Sequence, residues 1–147
     1  MSFADWTIRP ADARDWAAIE RLLVDRALPT EGAREHLATF LLAERGGELA
    51  GLVGLEAYGR QGLLRSLSVR VGLEKRGVAT SLLGRVLALA RERGVEHLYL
   101  LTTTAAAYFP RFGFEAVPWS SLPEVLRSSA ELQGACPTSA TAMHLRL

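Results

Sequence analysis

The chain has 147 residues, 49% of them apolar and 22% charged, with a formal net charge of +1. That length is the size of one ordinary domain, and the composition excludes extensive disorder. The charge balance leaves no footprint for nucleic acid or an anionic membrane, so a bound anion must be held by a local site. Cys136 is the lone cysteine, which excludes an internal disulfide and suits a reducing cytoplasm. Residues 1–10 carry Asp5 and no apolar run, unlike a signal peptide, and the longest apolar stretches fall short of a membrane span. With no repeat, low-complexity tract or linker, residues 1–147 read as a single domain.

Residues 7–9 suit a short first strand that Pro10 interrupts. Asp12 reads as a helix N-cap, and Trp16, Ile19, Leu22 and Leu23 at helical spacing predict a helix over 14–27. A second, weaker helix is predicted over 31–37. Strands over 40–45, 48–58 and 63–70, with glycine at each corner, form an antiparallel meander. After a polar loop at 71–76, Val78, Leu82, Val86 and Ala90 recur every four residues from Gly77 on, and Gly94 ends that helix. Residues 97–101 form a strand, 105–111 a short helix, 114–117 a strand, 123–127 a helical turn and 141–147 a last strand. A meander followed by a strand–helix–strand crossover implies a mixed sheet covered by helices.

The segment from Leu67 to Leu83 carries the chemistry: a strand feeds a loop that opens directly into a long helix. The first amides of such a helix have no internal partner and sit at the positive end of its dipole, which suits a pyrophosphate. Gly77 and Ala79 let phosphate approach the backbone, Lys75 and Arg76 add charge, and Thr80 adds a hydroxyl. Taken alone, the same residues equally describe an ordinary helix start.

Taken together with its setting, the segment resembles the acetyl-CoA signature of the GCN5-related N-acetyltransferase (GNAT) superfamily: Gln or Arg, two residues, Gly, one residue, then Gly or Ala. Glu74, Gly77 and Ala79 occupy those positions. The family's Asn, short helix and Gly-Phe pair correspond to Thr102, the stretch from Ala105, and Gly113-Phe114. The resemblance implies an α/β (α+β) GNAT fold, a mixed, mostly antiparallel sheet of about seven strands splayed between the fourth and fifth, with about four flanking helices. It implies acetyl-CoA as co-substrate, its arm lying along Leu67, Ser68 and Val69 and parting the strands after Leu67. The pyrophosphate would rest on Arg76, Gly77, Val78, Ala79 and Thr80, with Glu74, Lys75, Thr102 and Phe109 around the cofactor. Three positions depart from the pattern. Glu74 stands where Gln or Arg is usual and needs a pairing with Lys75 or Arg76. Thr102 replaces Asn. Phe109 replaces the tyrosine that protonates the leaving thiolate, and Tyr108 lies one residue earlier, about 100° round a helix.

The runs Leu63-Leu-Arg-Ser66 and Leu100-Leu-Thr-Thr-Thr104 and the later Cys136-Pro-x-Ser-Ala-x-x-Met143 resemble arsenic-resistance-associated acetyltransferases. The Leu-Thr-Thr step and the Tyr108-Phe109 pair resemble the acetyltransferase domain of N-acetylglutamate synthase, which usually has Arg where Thr104 stands. That resemblance implies acetyl transfer to a small-molecule amine, an amino acid or analogue, and the wider family implies a homodimer. The lone cysteine, the charge balance and the scattered histidines point to a cytoplasmic enzyme with no nucleic-acid or membrane partner and no metal. Binding of acyl-CoA without turnover, as a sensor, is the alternative. Acetylation of protein N-termini or lysines calls for an open groove, whereas the 28–32 loop and the 120s segment suggest a lid.

Glu56 and Glu31 are the candidate bases; Glu56 equally suits a solvent-facing strand position, and Glu31 a first helical turn. Tyr108 is the candidate acid, or water serves. Arg65 reads as a binder of an acceptor carboxylate or as a surface ion pair; Leu28, Pro29, Ser66, Thr103 and Thr104 complete the acceptor side. Cys136 reads as an inert buried thiol or as a nucleophile or arsenical ligand. His36, His97 and His144 are scattered in sequence and form no metal set.

Overall fold

The computed structural model describes residues 6–147, so residues 1–5 of the segment read above as no signal peptide lie outside it. Seven strands form one sheet: β1 (Thr7–Pro10), β2 (Phe40–Arg45), β3 (Glu48–Tyr58), β4 (Gln61–Val69), β5 (His97–Thr102), β6 (Glu115–Val117) and β7 (Thr141–Arg146). Their order is β1-β2-β3-β4-β5-β7-β6. Each pairing is antiparallel except β4 with β5, as the strand–helix–strand crossover requires. Pro10 closes β1 opposite Leu41 without interrupting it, because β1 is an edge strand and a missing N–H costs little there.

Two α-helices cover opposite faces. Helix α1 (Trp16–Asp25) buries Ile19, Leu22 and Leu23 against Phe40, Leu42 and Leu52. Helix α2 (Val78–Glu92) buries Val78, Leu82, Leu83, Val86 and Ala90 against Leu41, Ala43, Val53 and Leu55. Neighbouring residues of β2 thus serve different cores, as the pleat dictates. Asp12 caps the first turn as predicted, with Asp15 returning the bond to its amide at 2.8 Å, but Ala13–Asp15 is a 3₁₀ turn and α1 starts only at Trp16. The helix predicted over 31–37 is a 3₁₀ segment, Arg34–Thr39, and the one over 105–111 shrinks to a single turn, Phe109–Phe112, led by Pro110. No helix among the described residues is long and apolar enough to cross a membrane.

Where β3 crosses Phe40, the sequence has Gly54. A Cβ there would lie 2.3 Å from the Phe40 ring, itself fully buried. Gly54→Ala is therefore expected to destabilise the protein by about 1–3 kcal/mol through overpacking. Urea unfolding measures this, and unchanged stability would mean that the ring can swing aside.

Candidate functional site

The pairing of β4 with β5 runs from Gln61↔His97 to Leu64↔Leu100 and stops. The strands therefore part after Leu64, three residues earlier than expected from the resemblance. The cause is local. Between Leu52↔Ser68 and Gly54↔Arg65 the register shifts, and Ser66 adopts φ 66°. This bulge bends β4 away from β5. The Ser68 hydroxyl donates to the Ser66 carbonyl at 3.0 Å and fastens the bend. The gap is a cleft of about 410 Å³ lined by residues of β4, β5, the loop after α1, the segment around Tyr108 and the 130s.

The start of α2 lies next to the cleft, with Thr80 Oγ1 3.3 Å from the hydroxyl of the cleft residue Tyr108. Gly77, its N-cap, has φ 86°, no side chain caps the helix, and a Cβ at Gly77 would meet nothing within 4 Å. The first amides of a fifteen-residue helix are thus left to an outside acceptor. Lys75, Arg76 and Thr80 are exposed around them, while Val78 is buried beneath. Glu74 does not pair with Lys75 or Arg76. Its carboxylate accepts from the Gly72 amide at 2.7 Å and from Arg26 at 3.3 Å, and these bonds, the loop's own amides foremost, hold it below the usual carboxylate range. Glu74 shapes the loop and points its charge at α1.

Leu67 lines the cleft; it and Val69 pack partly buried against the α2 core. Thr102 Oγ1 accepts from the Ala105 amide at 2.9 Å and so turns the chain out of β5. Thr103 and Thr104 are exposed at the cleft. Phe109 is 6% exposed and stacks edge-on against Phe114, so it is chiefly a core residue with one edge in the cleft. Tyr108 is not carried away from the cleft, because this stretch is no α-helix. Its hydroxyl lies 3.3 Å from Thr80 Oγ1 on α2, and Arg111 covers its ring.

The opposite wall holds a buried ionic cluster. Arg65 Nη1 donates to Glu56 Oε2 at 2.8 Å, Nη2 to the Pro29 carbonyl at 3.2 Å and Nε to Ser66 Oγ at 3.1 Å, while Glu131 Oε2 lies 3.4 Å from Nε. The Arg65 side chain is fully buried at the cleft lining and held by this cluster, so it is not a surface ion pair. Glu56 is 0% exposed, not solvent-facing, and accepts the Tyr58 hydroxyl; burial, ahead of that bond, raises the phenol. Glu56 does not front the cleft, and Glu31 is exposed with its carboxylate on the Thr30 amide at 3.1 Å. Leu28 and Pro29 do front it.

Sequence reasoning missed Glu131 and Tyr58. Only the separations along the chain linked them to Arg65, and no spacing pattern marks such a set. Cys136 lines the cleft as a buried thiol pushed up to about 12, first by burial and then by Glu131. His97 and His144 are not scattered in space: their Nδ1 and Nε2 lie 2.9 Å apart across β5 and β7, and burial and the neighbouring ring lower the titration of His144.

A sheet whose central parallel strands part beside an uncapped helix start is the arrangement of the GNAT fold. The model of the acetyltransferase (GNAT) family matches residues 5–114, and the chain belongs to that family. An amino-acid acetyltransferase of Neisseria meningitidis is 27% identical over 124 residues, which is 80% of this chain and 28% of that protein. An uncharacterized N-acetyltransferase of Chlorobaculum tepidum is 26% identical over 132 residues, 84% of each chain. The structure of N-acetylglutamate synthase from Neisseria gonorrhoeae with coenzyme A and N-acetyl-glutamate superposes with a TM-score of 0.83 at 25% identity, over all of this chain and 36% of that one. Rv2747 of Mycobacterium tuberculosis, solved with CoA, gives 0.80 at 22% identity over 96% of this chain and 99% of that one. The chain thus spans about a third of the length of the synthases and amino-acid acetyltransferases it matches.

Proposed function

We propose that this chain transfers an acetyl group from acetyl-CoA to the amine of a small molecule, an amino acid or a close analogue. The observation that carries the reading is the gap between β4 and β5 opening beside the uncapped start of α2. Its relatives' names support the amino-acid class. The motifs at 63–66 and 136–143 favour the arsenic-resistance branch, the lone cysteine a cytoplasmic setting, and the family resemblance a homodimer.

The residues present fit acetyl-CoA. The amides from Gly77 to Thr80 hold the pyrophosphate, with Lys75 and Arg76 beside them, and the unpaired edge of β4 from Leu67 to Val69 holds the extended arm. When bound, the thioester supplies an activated acetyl group. A backbone amide in that stretch of β4 polarises its carbonyl. Tyr108 hands a proton to the departing sulfur, and Thr80 fixes the hydroxyl that does so. The sensor alternative rests on Phe109 and Glu74. It loses force because Tyr108 brings a hydroxyl to the cleft and Glu74 turns its charge to Arg26.

Coenzyme A release over a panel of amines, beside calorimetric titration with CoA, tests the reading; binding without release for every amine would favour the sensor. Tyr108→Phe is expected to lower kcat by ~10²-fold with acetyl-CoA affinity retained. An unchanged rate removes Tyr108 from the mechanism.

A further inference from the structure

The acceptor wall carries more negative charge than it can neutralise. Glu56 and Glu131 share one buried guanidinium, and Arg65 favours Glu56, at 2.8 Å against 3.4 Å for Glu131. Glu56 also holds the Tyr58 hydroxyl and has His36 Nε2 at 3.7 Å, and it stands behind the cleft surface. Glu131 stands at that surface. It begins a wide turn, Glu131–Ala135, its amide donates to Ser129 Oγ at 3.2 Å, and it is 3% exposed. The groups that face it are Arg65 from β4, Glu56 from β3, Glu31 from the loop after α1 and Cys136 from its own loop. A carboxylate so placed, sharing a guanidinium that lies nearer to Glu56, attracts a further cation or a proton.

We infer that Glu131 receives the acceptor's ammonium and takes the proton its nitrogen must lose, with Glu56 and Arg65 as positioning residues; this rests on the acetyl-transfer reading above. Two protons leave the nitrogen in all. Glu131 takes the first and returns it to solvent, which leaves a neutral amine to form the C–N bond. As the C–S bond breaks, the electron pair goes to sulfur, and the second proton balances the thiol formed there through Tyr108. Burial, reinforced by the like charge of Glu56 and only partly offset by Arg65, pushes the Glu131 carboxyl up to about 7, so it exchanges protons in the neutral range. Cys136 keeps its proton at that pH and does not compete.

The test uses the full chain, acetyl-CoA and four probe amines: L-glutamate, L-glutamine, L-lysine and putrescine. Coenzyme A release gives kcat/KM between about pH 5.5 and about pH 9. The wild type is expected to gain activity through an acid limb near neutrality. Glu131→Gln should lose that limb and fall at least ~10²-fold with CoA affinity unchanged, while Glu131→Asp keeps a limb. Glu56→Gln should move the limb to lower pH, because a like charge is gone and Arg65 is freed for Glu131; a merely structural role would leave it in place. If Glu131→Gln does not fold, the limbs of Glu131→Asp and Glu56→Gln decide. A limb that stays unmoved in Glu131→Gln, or in Glu56→Gln, overturns the assignment while leaving the transferase reading intact. A wild type that binds CoA yet releases none with any probe overturns that reading and the assignment with it.

Discussion

Gly77→Glu is expected to weaken CoA binding roughly 10³-fold, measured by isothermal titration. The residue is the N-cap of α2, and the space beside its Cα is empty out to 4 Å. A side chain there projects into the place where the free amides would meet a pyrophosphate. Two like charges about 4 Å apart at an effective dielectric of about 20 repel by about 4 kcal/mol, which is the thousandfold expected. The backbone contributes a smaller, separable effect. Gly77 sits at φ 86°, and a Cβ in that region costs about 1–2 kcal/mol of fold stability. Gly77→Ala carries that strain without the charge, so it should keep CoA affinity within about tenfold while its melting temperature falls. Equal loss in both variants would assign the effect to loop geometry. Normal affinity in Gly77→Glu would sink the phosphate-site assignment altogether.

The contrast between the two walls of the cleft follows from how each is encoded. The α2 wall is contiguous in the chain: a strand, a loop and a helix start within twenty residues, with a glycine where the backbone needs positive φ. Such a unit is legible because its chemistry depends on local geometry. The ionic cluster on the opposite wall is assembled from β3, β4, the loop after α1 and the 130s turn. Glu56 defeats period-two reasoning because β3 is a central strand covered on both faces, so its residues are buried one after another from Ala50 to Glu56. The 119–135 stretch folds as single 3₁₀ turns and one wide turn, none long enough to show a repeating apolar face, so nothing in it announced a carboxylate at the cleft. Tyr108 lines the cleft together with Phe109, because the stretch is a single 3₁₀ turn and not the α-helix to which the 100° step applies.

Arg65→Met is expected to destabilise the protein by about 3–5 kcal/mol at neutral pH. The substitution keeps much of the side-chain volume but strips the guanidinium that Glu56 and Glu131, both buried, share, and takes a donor from the Pro29 carbonyl. Two carboxylates left in a low-dielectric site must take up protons, so their folded-state pKa values rise above the unfolded value of about 4.3. A group shifted in that direction stabilises fully below its unfolded pKa and loses that contribution as pH rises through the folded one. The deficit of Arg65→Met should therefore narrow toward pH 5 and widen toward pH 8 in urea unfolding series. A loss below about 1 kcal/mol, flat with pH, would mean that another group balances the carboxylates. Arg65→Lys separates charge from shape: it should recover most of the pH dependence but not the full stability, because an ammonium cannot reproduce the fork that reaches Glu56, Ser66 and Pro29 together. Replacing the whole cluster, with Arg65→Met, Glu56→Leu and Glu131→Leu combined, is expected to return stability to near the wild-type level, since a well-packed apolar set is often no worse than a buried ion cluster. If that triple variant is stable and binds CoA but transfers no acetyl group, the cluster is held in the core for its chemistry and not for the fold.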